Sequence, residues 1–486
     1  MGDADGDVET LLAESDDAEL ERERDARRKR QRSILAKHGE PPGSDDSNWS
    51  SKPAAADYGE EAEREDAEAK LAHKARIAQN QHLPSREPLN GKSTYNTPAT
   101  SGALAGEEHT DMFAETPTGN DAAAKRAASS ATANGLQDNW DDTEGYYRAQ
   151  GGEVISKEGR AYEVTDSLPL GRGVFSTVMR AIRVDSGRPV ALKIIRNNET
   201  MARAAQLEMT VLRKIAETDT EDKKHCIRML DTFEHREHTI MVFEAMDMNL
   251  RQVLRKYGRN VGIHTEGVQV YAKQMALALK HLRNNGVLHA DIKPDNMLVN
   301  EQRTVLKICD FGSAMFDGNN EVTPYLVSRF YRAPEIMLGL KYSVPIDLWS
   351  VGCCLYELAT GEILFKGRTN NEMLKLVMDA KGSFPKKMLK HGLFVGEHFS
   401  EDGRFQYVQE DPATKQPLRR QMKITGASTD MPKLLGARRS GLTKEPKERL
   451  FRLADLLEKA FVLDPEKRIT PNEVGAKIKE RKSTCR

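Results

Sequence analysis

From about residue 160 the chain carries short β-branched runs, "YEVTDSLPL", "STVMRAIRV", "PVALKIIR" and "HTIMVFEAM", the texture of strands in a sheet with at least one buried face. Further along the period changes. In "GVQVYAKQMALALKHLRNNG" apolar residues recur at three and four, which predicts an amphipathic helix stopped at Gly286. Strands followed by helices, with no internal repeat, predict an α+β chain in two lobes, a β-rich small lobe and a helical large one.

Residues 1–137 have a different texture. Ala, Glu, Asp, Ser, Gly and Lys dominate, and the only aromatics before Trp140 are Trp49, Tyr58, Tyr95 and Phe113. Such a stretch cannot bury enough apolar surface to offset chain entropy, so it is expected to be disordered, with transient helices near 12–38 and 60–80. "RRKRQR" at 27–32 fits both a solvated helical charge run and a nuclear-import or RNA-contacting patch. Lys plus Arg (73) balance Asp plus Glu (74), so no global field calls for nucleic acid or membrane. The five cysteines have no metal-ligand or disulfide-framework spacing, and adjacent Cys353 and Cys354 in an apolar run read as buried thiols. With an acidic, polar start and no long apolar run, these features predict a soluble protein of cytosol or nucleus.

The chemistry concentrates in a few spaced motifs. Leu170-Gly171-Arg172-Gly173-Val174-Phe175-Ser176-Thr177-Val178 lies between two predicted strands; its glycines would let backbone amides approach phosphates. Alone, this pattern is weak, and a tight hairpin turn is the better reading of it. "VALK", ending at Lys193, places a lysine in an apolar strand, and Glu208 begins a helical E-x-x-x-L-x-x-I stripe. A carboxylate facing inward among Leu212 and Ile215 needs a cation, and Lys193 is the candidate. "VLHADIKPDN" then sets His289, Asp291, Lys293 and Asn296 in the order H-x-D-x-K-x-x-N. Asp291 would orient a substrate hydroxyl or accept its proton, Lys293 would neutralise charge on a transferred phosphoryl group, and Asn296 would hold Mg²⁺. Asp310-Phe311-Gly312 follows, with Asp310 as the main metal ligand, and Ala333-Pro334-Glu335 closes the segment. Glu335 requires a buried cation, for which Arg468 in "DPEKRIT" is the candidate; Asp347 in "DLWS" would brace the catalytic loop.

Taken together, residues 162–480 resemble a eukaryotic protein kinase of the CMGC group. "SRFYRAPE" is that group's signature, and the segment from about 365 to 450 resembles its large-lobe insert. More narrowly, "DNWDDTEGYYR" (138–148), "LHADIKPDN", "DFGSA", "TPYLVSRFYRAPEIMLG" and "GRTNNEMLKLVMDAKG" resemble the pre-mRNA-splicing kinases related to the dual-specificity tyrosine-regulated kinases. The resemblance implies a division into 138–160, an extension packing on the small lobe; 161–246, small lobe and hinge; 247–480, large lobe with insert; and 481–486, a basic tail. It implies an adenine site between Val178, Ala191 and Leu298, a hinge from Glu244 to Met246, and Phe243 as gatekeeper. It also implies ATP and Mg²⁺ as cofactors, serine/threonine phosphorylation of spliceosomal proteins in the nucleus, a monomeric kinase domain, and no sequence-specific nucleic-acid contact.

One letter departs from the kinase pattern. Ala290 stands where many kinases have an arginine that clamps a phosphate on the activation loop. That arginine transfers no phosphoryl group, so regulation is altered and chemistry is spared. Tyr325, four before Arg329 and seven before Arg332, is the expected substitute: a phosphotyrosine read by both arginines, with Thr323 a weaker candidate. A non-catalytic scaffold would be expected to lack Lys193, Asp291, Asn296 or Asp310, and all four are present.

Overall fold

The computed structural model describes residues 140–479 apart from 260, 319–321, 411–416 and 437–442. The expected disorder of 1–137, the "RRKRQR" patch and the basic tail at 481–486 lie outside the described residues.

A seven-stranded antiparallel sheet comes first. It is built from β1 (Val154–Lys157), β2 (Arg160–Val164), β3 (Gly171–Arg172), β4 (Ser176–Arg183), β5 (Arg188–Ile195), β6 (Met229–His235) and β7 (His238–Glu244). Its path is β1-β2-β4-β5-β7-β6, with β3 on β4. Strand alternation assigns the faces. Val190, Leu192 and Ile194 of β5 pack with Met179, Ile240, Val242 and the stacked pair Tyr162 and Phe233 in one cluster. Ala191 and Lys193 must therefore face the other way, and Val178, opposite Lys193 in the register, joins them.

The run "YEVTDSLPL" breaks after Val164, where Asp166 to Leu168 leave the sheet and Leu168 is exposed. Conversely β6, "MLDTFEH", carries no clean alternation of its own. It pairs because β7 offers an edge, through a register shift between Met229 and Asp231.

Helix α1 (Glu199–Glu217) starts where the Asn198 side chain accepts from the amides of Thr200 and Met201, at 2.9 and 3.3 Å. Its buried stripe of Met201, Ala205, Glu208, Leu212 and Ile215 lies on the Lys193 side of the sheet. After β8 (Met248–Asn249), α2 (Leu250–Val253) opens the helical lobe. There α3 (Thr265–Asn284), α4 (Pro345–Thr360), α5 (Asn370–Lys381) and α6 (Lys444–Ala460) form one core, with Gly286 at φ +64° taking the chain out of α3. Nearly all of α4 is buried, and Trp349 stacks on Phe365 and meets Phe461 edge-on. The hairpin β13 (Phe405–Glu410) and β14 (Pro417–Met422) lies against α5. Three short pairings complete the site: β9 (Val287–Leu288) with β12 (Met315–Phe316), and β10 (Met297–Val299) between β8 and β11 (Leu306–Ile308).

Glu335 and Arg468 form a two-pronged ion pair at 2.6 and 2.9 Å with both side chains wholly buried. Removing one partner strands a charge in the interior. Arg468→Met is expected to lower the unfolding free energy by about 3–5 kcal/mol, read by urea unfolding, since an uncompensated buried charge costs that order.

Candidate active site

Three pieces of chain meet under the sheet. The loop from Leu170 to Val178 is a tight turn, held by Leu170 N–H on the Val178 carbonyl (2.8 Å) and Gly173 N–H on that of Ser176 (2.9 Å). A Cβ at Gly171 or Gly173 would meet nothing within 4 Å, so these glycines relieve no internal clash and leave the loop's face open to a ligand. Across from it, Lys193 Nζ lies 2.6 and 2.9 Å from the Glu208 carboxylate and 3.1 Å from Asp310 Oδ1. Burial works to strip that ammonium of its proton, but Glu208 and Asp310 outweigh it and hold the pKa above the ordinary lysine value. Lys193 is therefore charged throughout the neutral range. Ala191, Leu298 and Met246 are half-buried against the main core beside buried Phe243. The Glu244 carboxylate is committed to Lys307, at 2.6 and 2.8 Å, and to the Arg228 amide at 2.8 Å, leaving only main chain to serve a ligand at that hinge position.

The loop that carries Asp291, Lys293 and Asn296 is set from below by one residue. Asp347, buried near the start of α4, accepts from the amides of His289 (2.7 Å) and Ala290 (2.9 Å). Ala290 sits at φ +59°, a left-handed conformation costly for any residue with a Cβ, and these two bonds hold it there. His289 in turn lies 3.0 Å from the Cys309 carbonyl and edge-on to buried Phe311, tying the loop to the Asp310 turn. Asp310 is itself left-handed, at φ +60°.

Asp291 Oδ1 receives the Ser328 hydroxyl at 2.8 Å and the Ser328 amide at 3.1 Å. Lys293 Nζ donates to the same hydroxyl at 3.2 Å and lies 3.6 Å from Asp291 Oδ2. Asn296 Nδ2 donates to the Asp291 carbonyl at 2.9 Å. Asn296 and Asp310 offer an amide oxygen and a carboxylate. This is the sparse oxygen set that suits Mg²⁺, which keeps few protein ligands and completes its shell with phosphates and water.

Ser328, although it opens the "SRFYRAPE" stretch, was given no role from sequence, because nothing in that stretch announces its approach to Asp291. Nor was the buried network in which Arg251 donates to Tyr331 (2.7 Å) and Asp295 (3.1 Å), bonds Glu357, and Tyr331 donates to Glu357 at 2.7 Å. One signal was available: Glu357 is a charged residue deep in an apolar helix and needs a partner. Burial and the neighbouring Glu357 carboxylate keep the Tyr331 phenol protonated.

Tyr325 is about half exposed. Arg332 is fully buried and donates to the carbonyls of Leu326 and Val327 at 2.9 Å, Tyr325 at 3.3 Å, and to Asn370 Oδ1 at 2.6 Å. Arg329 bonds the Arg368 carbonyl. Arg332 thus braces the main chain of the segment that carries Tyr325.

Comparison with known proteins agrees with this geometry. Residues 164–477 match the model of the protein kinase domain. The chain belongs to the protein kinase family. It is 44% identical over 400 residues to the serine/threonine-protein kinase prp4 of Schizosaccharomyces pombe, covering 80% of this chain and 81% of that protein. It is 48% identical over 340 residues to the serine/threonine-protein kinase prpf4B of Dictyostelium discoideum, covering 70% of this chain but 41% of that one. The dual specificity tyrosine-phosphorylation-regulated kinase mbk-2 of Caenorhabditis elegans is more distant, 34% identical over 337 residues, 68% of this chain and 40% of its own length. No helix among the kinase's described residues is long and apolar enough to cross a membrane.

Asp347→Ala would leave two buried amides without an acceptor, each costing about 1–3 kcal/mol. The kinase is expected to lose phosphoryl transfer and to unfold several degrees lower, whereas Asp347→Asn, retaining one acceptor, should lose less; paired activity and thermal-unfolding measurements on the two variants check this.

Proposed function

We propose that this chain is a serine/threonine protein kinase of the prp4 type, acting in the nucleus on proteins of the pre-mRNA-splicing machinery. The observation that carries the catalytic part is the cluster of Asp291, Lys293 and Ser328. A carboxylate and an ammonium converge there on one serine hydroxyl, the arrangement a substrate hydroxyl also needs. Identity to prp4 and prpf4B supports the splicing part, together with the resemblance of "DNWDDTEGYYR" ahead of the domain.

In the proposed reaction a bond forms between the substrate hydroxyl oxygen and the γ-phosphorus of ATP. The bond from that phosphorus to ADP breaks, and the hydroxyl proton passes to Asp291. Bound Mg²⁺ supplies charge neutralisation at the phosphates, with Asn296 and Asp310 as its protein ligands. Lys193, oriented by Glu208, meets the α- and β-phosphates; Lys293 offsets charge on the moving phosphoryl group. The amides of the Gly171–Ser176 turn cover the phosphates, and Val178, Ala191 and Leu298 enclose the base beside the Glu244–Met246 main chain.

The proposal extends to selection next to the target residue. Val327 is buried and left-handed, at φ +68°, and its carbonyl is taken by Arg332. A substrate residue docking there finds no carbonyl to receive its N–H, which disfavours ordinary residues and leaves proline unpenalised.

Tyr325 is proposed to be autophosphorylated during maturation. Its half-exposed ring supports access to a phosphoryl donor. Reading of the phosphate by Arg329 and Arg332, in place of the clamp that Ala290 cannot provide, would require Arg332 to exchange carbonyl bonds for phosphate ones.

The test is expression of wild type and Asp291→Asn in bacteria with phosphate mapping by mass spectrometry, followed by transfer from ATP and Mg²⁺ to serine peptides. Phosphate at Tyr325 in wild type only, and faster turnover of a serine followed by proline than of one followed by alanine, are expected. Absence of transfer by wild type would contradict the catalytic reading, and equal turnover of the two peptides would contradict the Val327 argument.

A further inference from the structure

The nine residues from Trp140 to Arg148 lie ahead of the part that matches the kinase domain, yet they touch the nucleotide loop. We infer that Tyr146 is a positioning residue for ATP, holding the tip of the glycine-rich turn from outside the domain. The inference rests on the reading of Leu170–Val178 as the phosphate-covering loop.

The segment is first fixed to the sheet. His238 is fully buried, with Nδ1 2.7 Å from the Ile195 carbonyl and Nε2 2.6 Å from Asp141 Oδ1. The Asn197 amide donates to the Gly145 carbonyl at 2.8 Å, and Arg196 bonds the Glu144 carbonyl. Gly145 sits at φ +81°, where a Cβ would fall 2.9 Å from the Asn197 oxygen, so the segment approaches this closely only with glycine there.

From that anchored base the next residue reaches the loop. The Tyr146 hydroxyl is 3.0 Å from the Gly173 carbonyl and 3.2 Å from that of Val174, and its single proton is shared between them. The ring is buried between two guanidinium groups, Arg172 of the loop at 4.0 Å and Arg196 at 4.8 Å from its centre. Arg172 is also paired with Asp142 at 2.6 Å. Tyr146 and Asp142 therefore hold three consecutive loop residues, Arg172, Gly173 and Val174, by side chain and main chain. Glycine-rich turns are otherwise the freest part of a small lobe, and each restraint removes ordering that ATP would have to impose on binding. Because the carbonyls are engaged outward, the turn's conformation is set before the phosphates arrive.

The experiment uses the full chain and Tyr146→Phe, which keeps the ring and deletes only the hydroxyl. Loss of one hydrogen bond of ordinary strength corresponds to about a five-fold change. The expected result is a rise of that order in the KM for ATP and in the Kd for ATP with Mg²⁺, with kcat within about two-fold of wild type. Amide exchange in residues 171–176 without nucleotide should be faster, and that in β5 and β7 unchanged. If the sheet amides also exchange faster, Tyr146 is merely structural and the inference fails. It fails too if wild type and variant bind ATP equally. Failure of wild type to bind ATP at all would instead overturn the functional reading beneath it.

Discussion

Everything in the site is referred to one ammonium group. Lys193 stands on the α1 side of β5, and its charge is met by Glu208 from α1 and Asp310 from the large lobe. A cation with so little solvent access is tolerable only with such partners, since losing them would leave a charge in a low-dielectric setting. The pairing therefore fixes the angle of α1 against the sheet and the position of the Asp310 turn under it. The packing of α1 on the sheet and the position of Asp310, the proposed metal ligand, are tied to the same three side chains.

A second buried charge does comparable work in the large lobe, through main chain instead of side chain. Asp347 satisfies two amides and so stabilises an unfavourable φ at Ala290. The direction of Asp291 follows from that backbone, and Ser328 brings the activation segment to it. Ala290 can lack a guanidinium because the position's structural task is done by its N–H. The task an arginine would add, binding a phosphate on the segment, is separable from it.

Much of this was legible in the sequence because the chemistry is local and spaced. "PVALKII" placed a lysine in an apolar strand, and the helical stripe around Glu208 put a carboxylate on a buried face, so their pairing followed from the need of a buried carboxylate for a cation. Glu335 with Arg468, far apart in the chain, was legible for the same reason: a buried acid demands a base. What was not legible depended on tertiary approach with no periodic trace. β6 exists because β7 has a free edge. Ser328 matters only because the activation segment folds back over Asp291. The contact of Tyr146 with Gly173 needs the close approach of Gly145 to Asn197, which nothing in either stretch announces.

The central claim, that one precisely placed ammonium on β5 unites the lobes into a working site, is tested most directly by Lys193→Arg. Arginine keeps the positive charge but spreads it over a larger fork that does not reproduce the point charge between Glu208 and Asp310. The account predicts a folded kinase whose phosphoryl transfer at saturating ATP and Mg²⁺ falls by about 100-fold or more, the order lost when one aimed electrostatic donor is removed. Transfer at a rate close to wild type would contradict it.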